Sequence, residues 1–412
     1  MSLRVLFFDM NCYFASVEQQ LRPELRGRPV GIVPVVSEGT CCIAASVEAK
    51  ARGVKTGTGV REARALCPEI TLVRSRPDVY VRVHHRVIEA VETRIPVHAM
   101  RSVDEGVCRL GIGERDRASA EALAMGVKAA IRERVGAHLR CSIGLAPNEM
   151  LAKTGTDMRK PDGLVTIEKG DLPEAICGLA LTDLPGIGRR MGARLEGAGI
   201  RSVRDLCARS EKELERVWGG VVGRRWWYWL RGEELRLPSE RTRTIGHQHV
   251  LAPAMRTEEG ARAVAFRLLH KAAARARHTG YAARTLWVGV RSQSAPGVRE
   301  VTLWERTASL GPGCVDTGSM ARVLAGLWAE RPRVRPVWVG ITLLGLVRRE
   351  TTLALFERER ADEALASAMD RINAKHGRNT LYYASMHAAR EQRVGGIAFS
   401  SVPDLSLPDA VA

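Results

Sequence analysis

The sequence predicts an α+β protein of several domains, in which two βαββαβ units stand on either side of an all-helical segment. Three observations predict it. Strand-like apolar runs alternate with amphipathic helix-like runs over residues 3–19 and 78–167, and again over 244–346. Residues 168–233, between them, carry helical periodicity without a strand-like run. At 412 residues the chain is also too long for one ordinary core.

The first unit opens on residues 5–8 (Val-Leu-Phe-Phe), a run that reads as a buried strand and ends at Asp9. Residues 15–20 then read as the first turns of a helix. A carboxylate at a strand end beside a helix N-terminus suits a metal-bound polyphosphate. The metal neutralises charge, and the free N–H groups of the helix start face the phosphates. Taken alone, Asp9 fits a helix-capping role equally well. The second acidic site lies in residues 101–110, a strand-like run that holds Asp104 and Glu105 side by side. Adjacent carboxylates repel, so the pair is costly without a cation nearby. On a strand they point to opposite faces unless a bulge or a tight turn at Gly106 re-aims one. Alone, the pair fits a solvated hairpin tip. Three carboxylates on neighbouring strands, however, can hold two Mg²⁺ ions roughly 3.5–4 Å apart, which clamps the attacking and leaving oxygens of phosphoryl transfer.

The remaining elements follow in order. Residues 29–36 predict a strand pair or bent strand and 41–46 another strand. Residues 47–51 predict a short helix stopped by Gly53. Next come a helix over 79–93, with His84 and His85 on a solvated face, and a helix over 117–134 with Ala120, Leu123, Val127 and Ile131 inward. A strand over 139–146 leads to a helix capped by Asn148 that carries Lys153, a loop over 157–163 and a closing strand at 164–167. With residues 3–19 this is a ferredoxin-like pattern. Residues 184–190 followed by 195–200 fit a helix-hairpin-helix. There Gly186 and Gly188 let backbone N–H groups approach a DNA phosphate, and Arg189, Arg190 and Arg194 supply charge. Trp218, Trp226, Trp227 and Trp229 read as the core of a small helical domain. Residues 236–243 have linker composition. The second unit has strands at 244–251, 283–291, 298–306 and 335–346, and helices at 257–277, capped by Thr257, and 317–330. The tail, 347–412, holds an isolated apolar segment with Leu353, Leu355 and Phe356. An amphipathic helix with Leu365, Met369 and Ile372 follows, stopped near Gly377, then a strand at 380–385.

Bulk properties narrow the function. The net charge is +17, which points to a polyanion, and to nucleic acid before membrane. Residues 241–350 hold eighteen Lys and Arg against seven Asp and Glu, so most of the excess sits in about a quarter of the chain. No apolar run is long enough to span a bilayer, and no signal peptide is expected, because the N-terminus reads at once as a strand. The nine cysteines are scattered without a Cys-x-x-Cys, and read as reduced thiols of a cytoplasmic protein.

Residues 9–18 (Asp-Met-Asn-Cys-Tyr-Phe-Ala-Ser-Val-Glu) and 102–105 (Ser-Val-Asp-Glu) resemble the two catalytic motifs of Y-family, DinB/UmuC-type, translesion DNA polymerases. The resemblance implies a right-hand polymerase: palm at 1–19 and 78–167, fingers at 20–77, helix-hairpin-helix thumb at 168–235, linker at 236–243, and little finger at 244–346. It implies that Asp9, Asp104 and Glu105 are catalytic and, with the backbone of Met10, hold two Mg²⁺ ions, for which Mn²⁺ can substitute. It gives dNTP contacts to Tyr13, Phe14 (the gate against ribonucleotides), Lys50 and Lys160, the last in the Asp-Met-x-Lys-Pro-x-Gly loop at 157–163. Gly186, Gly188, Arg189 and Arg190 become DNA contacts, and Leu353, Leu355 and Phe356 a peptide for the replicative sliding clamp, with Thr352 where the family prefers Gln. The expected partners are primer-template DNA, dNTP and that clamp. A monomer is expected, as is low fidelity, since nothing resembles a proofreading exonuclease domain. Ala44, Val47 and Lys50 depart from the DinB pattern of Thr, Tyr and Arg. Asn11 and residues 48–51 are closer to the UmuC side, which the C-terminal region at 370–385 also resembles. The rival readings are a non-catalytic, ImuB-type DNA-binding accessory protein, which keeps the hand and loses the carboxylates, and a helix-hairpin-helix repair nuclease.

Overall fold

The computed structural model of the protein describes residues 3–235, 244–294, 300–349, 357–377 and 379–390. The described residues up to 235 form one compact unit, and those from 244 onward a second. The expected linker at 236–243 and the apolar segment with Leu353, Leu355 and Phe356 lie outside the described residues.

In the first unit, β1 (Val5–Met10) is buried along its whole length. Leu6, Phe8 and Met10 join one core, and Val5 and Phe7 another on the opposite face. A strand covered on both sides needs no polar alternation, hence its continuous apolar run. α1 (Tyr13–Leu21) starts after Cys12, which is in the left-handed conformation with φ 51°. β2 (Val30–Val33), β3 (Ala44–Ala45), α2 (Val47–Ala51), α3 (Val60–Leu66) and β4 (Thr71–Arg74) form a small layer with its own three-stranded sheet, ordered β3-β2-β4. Both strands expected here are shorter than their apolar runs, and α3 and β4 were not foreseen. Residues 41 and 42 form an isolated antiparallel bridge to the segment at 57–59 instead of extending β3.

α4 (Pro77–Glu92), β5 (Val97–Met100), β6 (Glu105–Arg109), α5 (Arg117–Arg134), β7 (Cys141–Ala146), α6 (Glu149–Met158) and β8 (Leu164–Thr166) complete the main sheet, ordered β5-β6-β1-β7-β8. Its first four strands have the ferredoxin-like order, and β8 is added at the edge, parallel to β7. α4 and α5 pack on the Leu6–Phe8 face, and α6 on the Val5–Phe7 face. Two expectations are corrected here. The tight turn lies at 101–104, before β6, and Gly106 sits inside the strand opposite Phe8, where a Cβ would meet the Phe8 ring at 2.3 Å. His84 is buried, not solvated. Its Nδ1 donates to the Val103 carbonyl at 2.7 Å, which pins that turn; His85 is exposed as expected.

α6 lies unusually close to β7, where a Cβ on Gly144 would stand 1.9 Å from the Ala152 carbonyl oxygen. Replacing Gly144 by Ala should therefore cost about 1–3 kcal/mol of stability by overpacking against backbone. Urea unfolding monitored by tryptophan fluorescence reads this, and an unchanged midpoint would contradict the packing.

The helical segment holds α7 (Glu174–Cys177), α8 (Arg189–Gly197), α9 (Val203–Ala208), α10 (Glu211–Trp218) and α11 (Val221–Trp229). Reciprocal caps start α9 (Ser202 with Asp205) and α10 (Ser210 with Glu213). Trp226 is buried and stacks on Trp218, and Trp227 and Trp229 pack on the same core, as expected.

The second unit contains β9 (Thr244–Val250), α12 (Glu258–His278), β10 (Tyr281–Gln293), β11 (Thr302–Cys314), α13 (Thr317–Ala329), β12 (Arg335–Leu344), β13 (Val347–Arg348) and α14 (Glu357–His376). Its sheet order, β11-β10-β12-β9, differs from that of the first unit although the chain pattern is the same. Trp287 and Trp338 sit on the sheet face away from α12 and α13, with Arg291 over the Trp338 ring at 4.9 Å. Two tail expectations fail. Ala366, Met369 and Asn373 face inward on α14, while Leu365 and Ile372 are exposed. The buried Arg277 pairs with Asp370 at 2.6 Å and so fixes that rotation. Residues 380–385 are not a strand. The Asn373 side-chain amide donates through Nδ2 to the Leu381 carbonyl and accepts at Oδ1 from Leu381 N, and Ala384–Ala389 forms a 3₁₀ turn that buries Met386.

Candidate active site

Asp9 lies on the face of β1 covered by α6. Because the register pairs Asp9 with Glu105 of β6 and with Ser142 of β7, these side chains share that face. Asp104, one residue before β6, is tied to β1 through its carbonyl, which accepts from Met10 N at 2.8 Å. Its carboxylate accepts from the Ser102 hydroxyl at 2.5 Å. Asp9 and the adjacent pair Asp104-Glu105, nearly a hundred residues apart in the chain, are thus brought to the end of one buried strand.

Two lysines balance them. Lys153 of α6 donates to Asp9 Oδ2, to Glu105 Oε1 at 2.6 Å, and lies 3.6 Å from Asp157. Lys160 donates to Asp9 Oδ2 at 2.8 Å and to Asp157 at 2.7 Å. The Asn148 side chain accepts from Leu151 N, so the start of α6 is fixed and Lys153 falls over the sheet. The Lys160 loop is held by Asn11, whose Oδ1 accepts from Asp162 N at 2.7 Å, and by Lys128, which pairs with Asp162 at 2.9 Å.

The charges shift accordingly. Burial alone would raise the Asp9 carboxyl, but Lys153 and Lys160 outweigh it and hold it below the usual range. Burial lifts Asp104; the Ser102 hydroxyl opposes this and the Asp9 charge adds to it. Burial likewise lifts Glu105 against the pull of Lys153. Burial disfavours the Lys153 ammonium, yet Asp9 and Glu105 raise it above an ordinary lysine.

Phe14 is buried and stacked on Tyr80, with ring centroids 4.6 Å apart. The Tyr80 hydroxyl donates to Glu18 at 2.8 Å, and Glu18 also takes a two-pronged bond from Arg76. The Tyr13 hydroxyl donates to the Tyr80 carbonyl at 2.8 Å. Lys50 is exposed on α2. Gly186, with φ +100°, turns the chain into α8, and Gly186, Gly188, Arg189 and Arg190 are all exposed there.

The matches to known proteins fit this geometry. The model of the impB/mucB/samB family matches residues 8–157, that of its C-terminal domain 242–376, and that of the DNA polymerase-iota thumb domain 182–234. A relative from Pelotomaculum thermopropionicum, DNA polymerase IV, is 34% identical over 92% of this chain and 94% of its own length. The chain belongs to the Y-family of DNA polymerases. DNA polymerase IV of Moorella thermoacetica is also 34% identical, over 92% of this chain and 95% of its length. DNA polymerase IV 1 of Bacillus subtilis is 27% identical over 96% of both. A solved Y-family DNA polymerase chimera shares the fold, with TM-score 0.71 and 21% identity, over 84% of this chain and 99% of its own.

Within this Y-family chain, Asp9 and Glu105 are joined through Lys153, and Lys160 reaches Asp9; the Asp104 side chain turns to Ser102 instead, and Tyr13 and Phe14 begin the helix that follows Asp9. Sequence reasoning passed over Lys153 as a site residue. The signal was present in the Asn148 cap and in the one-turn spacing of Lys153 and Asp157. The carboxylate oxygens are hard donors of the kind Mg²⁺ takes, and those of Asp9 and Glu105 already converge on one cation, the Lys153 ammonium. Among the described residues no three His, Cys, Asp or Glu side chains gather at one point, because Asp104 is drawn to Ser102 and the other two to Lys153. Among them, too, no helix is long and apolar enough to cross a membrane. All nine cysteines are free thiols.

Proposed function

We propose that this chain extends a DNA primer on a template, past lesions, with Asp9, Asp104 and Glu105 as the catalytic carboxylates. The observation that carries the reading is the register that sets Asp9 directly opposite Glu105, with Asp104 bonded to the same strand. The three carboxylates and the Met10 carbonyl would hold two Mg²⁺ ions. Such ions, when bound, activate a primer hydroxyl and stabilise the leaving pyrophosphate. The protein supplies the rest. Lys160, held by the Asn11-tethered loop, reaches the triphosphate, as does Lys50 from α2. The first N–H groups of α1 face the phosphates, which leaves the Tyr13 hydroxyl to its structural bond. The Phe14 ring, braced by Tyr80, lies under the sugar. The palm, fingers and thumb divide the first unit at about the boundaries given above, and the second unit is the little finger. Primer extension with dNTPs and Mg²⁺ tests this directly. Template-matched products support it, and binding without extension would favour the accessory-protein reading.

DNA affinity should fall steeply with salt, because each neutralised phosphate adds about 0.9 to the log–log slope on duplex. Changing Arg189 and Arg190 together to Ala should make that slope shallower by about 2 and weaken binding alike on unrelated sequences. Fluorescence anisotropy across a salt series measures both, and an unchanged slope would remove the helix-hairpin-helix from the interface.

Leu353, Leu355 and Phe356 are proposed to bind a hydrophobic pocket on the sliding clamp. Tethering raises the effective concentration of the primer end without new site contacts. Changing Leu355 and Phe356 to Ala should abolish clamp stimulation on primed circular DNA and leave clamp-free extension intact. Undiminished stimulation would place the contact elsewhere.

A further inference from the structure

The Lys153 ammonium is held from several sides: by Asp9 and Glu105, by Asp157 Oδ2 at 3.6 Å, and by the Phe7 ring, whose centroid is 5.5 Å away. The helix that carries it cannot drift, because α6 rests on Gly144 without room for a Cβ. We propose that Lys153 is a displaceable counter-cation, which holds Asp9 and Glu105 together until a divalent ion taken up by those carboxylates drives it out. The proposal rests on reading Asp9 and Glu105 as metal ligands.

Three observations carry it. First, the ammonium lies where the two carboxylate oxygens converge. A divalent ion bound to those oxygens at about 2.0–2.1 Å would have to share that space with a like charge. Second, the ammonium has somewhere to go. Asp157 is one helical turn along α6, already at 3.6 Å. Third, Asp9 would not lose all its protein cations, since Lys160 holds the same Oδ2 at 2.8 Å. Lys153 would then do two opposing things. It keeps the buried Asp9 and the half-buried Glu105 together before metal arrives, and it weakens metal binding, because its charge opposes the incoming ion.

The test uses the full-length protein without DNA or nucleotide, with Mn²⁺ as probe and free Mn²⁺ read by electron paramagnetic resonance. Lys153→Met, similar in length but uncharged, should bind Mn²⁺ about 10-fold more tightly than wild type, and Lys153→Arg should stay close to wild type. In EDTA the Met variant should melt below wild type and recover on adding Mn²⁺, whereas a merely structural lysine would give no gain in metal affinity. Equal or weaker Mn²⁺ binding by Lys153→Met, with Asp9→Asn still impairing it, would overturn the proposal and leave the metal-ligand reading standing. Mn²⁺ binding insensitive to Asp9→Asn as well would overturn both. If the Met variant does not fold, acylation of Lys153 in wild type, followed by mass spectrometry, decides. Its reactivity should rise with Mn²⁺ relative to the exposed Lys55, and no rise at saturating Mn²⁺ refutes displacement.

Discussion

Changing Asp104 to Ala is expected to slow nucleotide addition by about 1,000-fold or more, while DNA affinity stays within a few-fold. The structure favours a clean outcome. The bond that ties residue 104 to β1 runs through its carbonyl to Met10 N, so Ala keeps it. The side chain's own hydrogen bond is a local one from Ser102. Burial disfavours the charged form of Asp104, so its removal relieves the fold of an unfavourable charge. On the proposed reading the change removes a metal ligand, and with it transition-state stabilisation, not phosphate contacts. Rapid-quench incorporation on a labelled primer, with anisotropy for DNA binding, separates the two terms. A variant that still adds nucleotide near the wild-type rate would remove Asp104 from the catalytic set.

Phe14→Ala should have two large effects. Removing a ring that is 4% exposed and stacked on Tyr80 is expected to cost about 3–5 kcal/mol of stability. If the ring also lies under the sugar, discrimination against ribonucleotides should fall by about 100-fold. The ratio of rNTP to dNTP incorporation is independent of how much enzyme is folded, so it isolates the second effect. An unchanged ratio with lowered stability would make Phe14 a core residue alone.

Much of this was legible in the sequence, and the exceptions have physical causes. β1 declared itself because a strand buried on both faces is a continuous apolar run, and α6 because Asn148 caps it. The adjacency of Asp9 and Glu105 did not, since register is set by pairing across nearly a hundred residues of chain. Lys153 escaped for the same reason: its partners lie on two other strands. β11 runs longer than expected because it is an edge strand, mostly exposed, and has no apolar alternation to mark its ends. The rotation of α14 was misjudged because Asp370 reads as a solvent residue until its buried partner, Arg277, is seen. α3 and β4 are short: α3 faces its core with Val60 and Ala63, and β4 has only four residues, so neither carries much periodic signal.

The central claim is that carboxylates from neighbouring strands form one catalytic unit. It is tested most directly by single-turnover nucleotide addition with wild type, Asp9→Asn, Glu105→Gln and the double variant. Groups that act as a unit are strongly non-additive. Each single change should therefore remove nearly all activity, and the double variant should be no slower than the worse single one. Multiplying losses, or a single variant near the wild-type rate, would contradict the account.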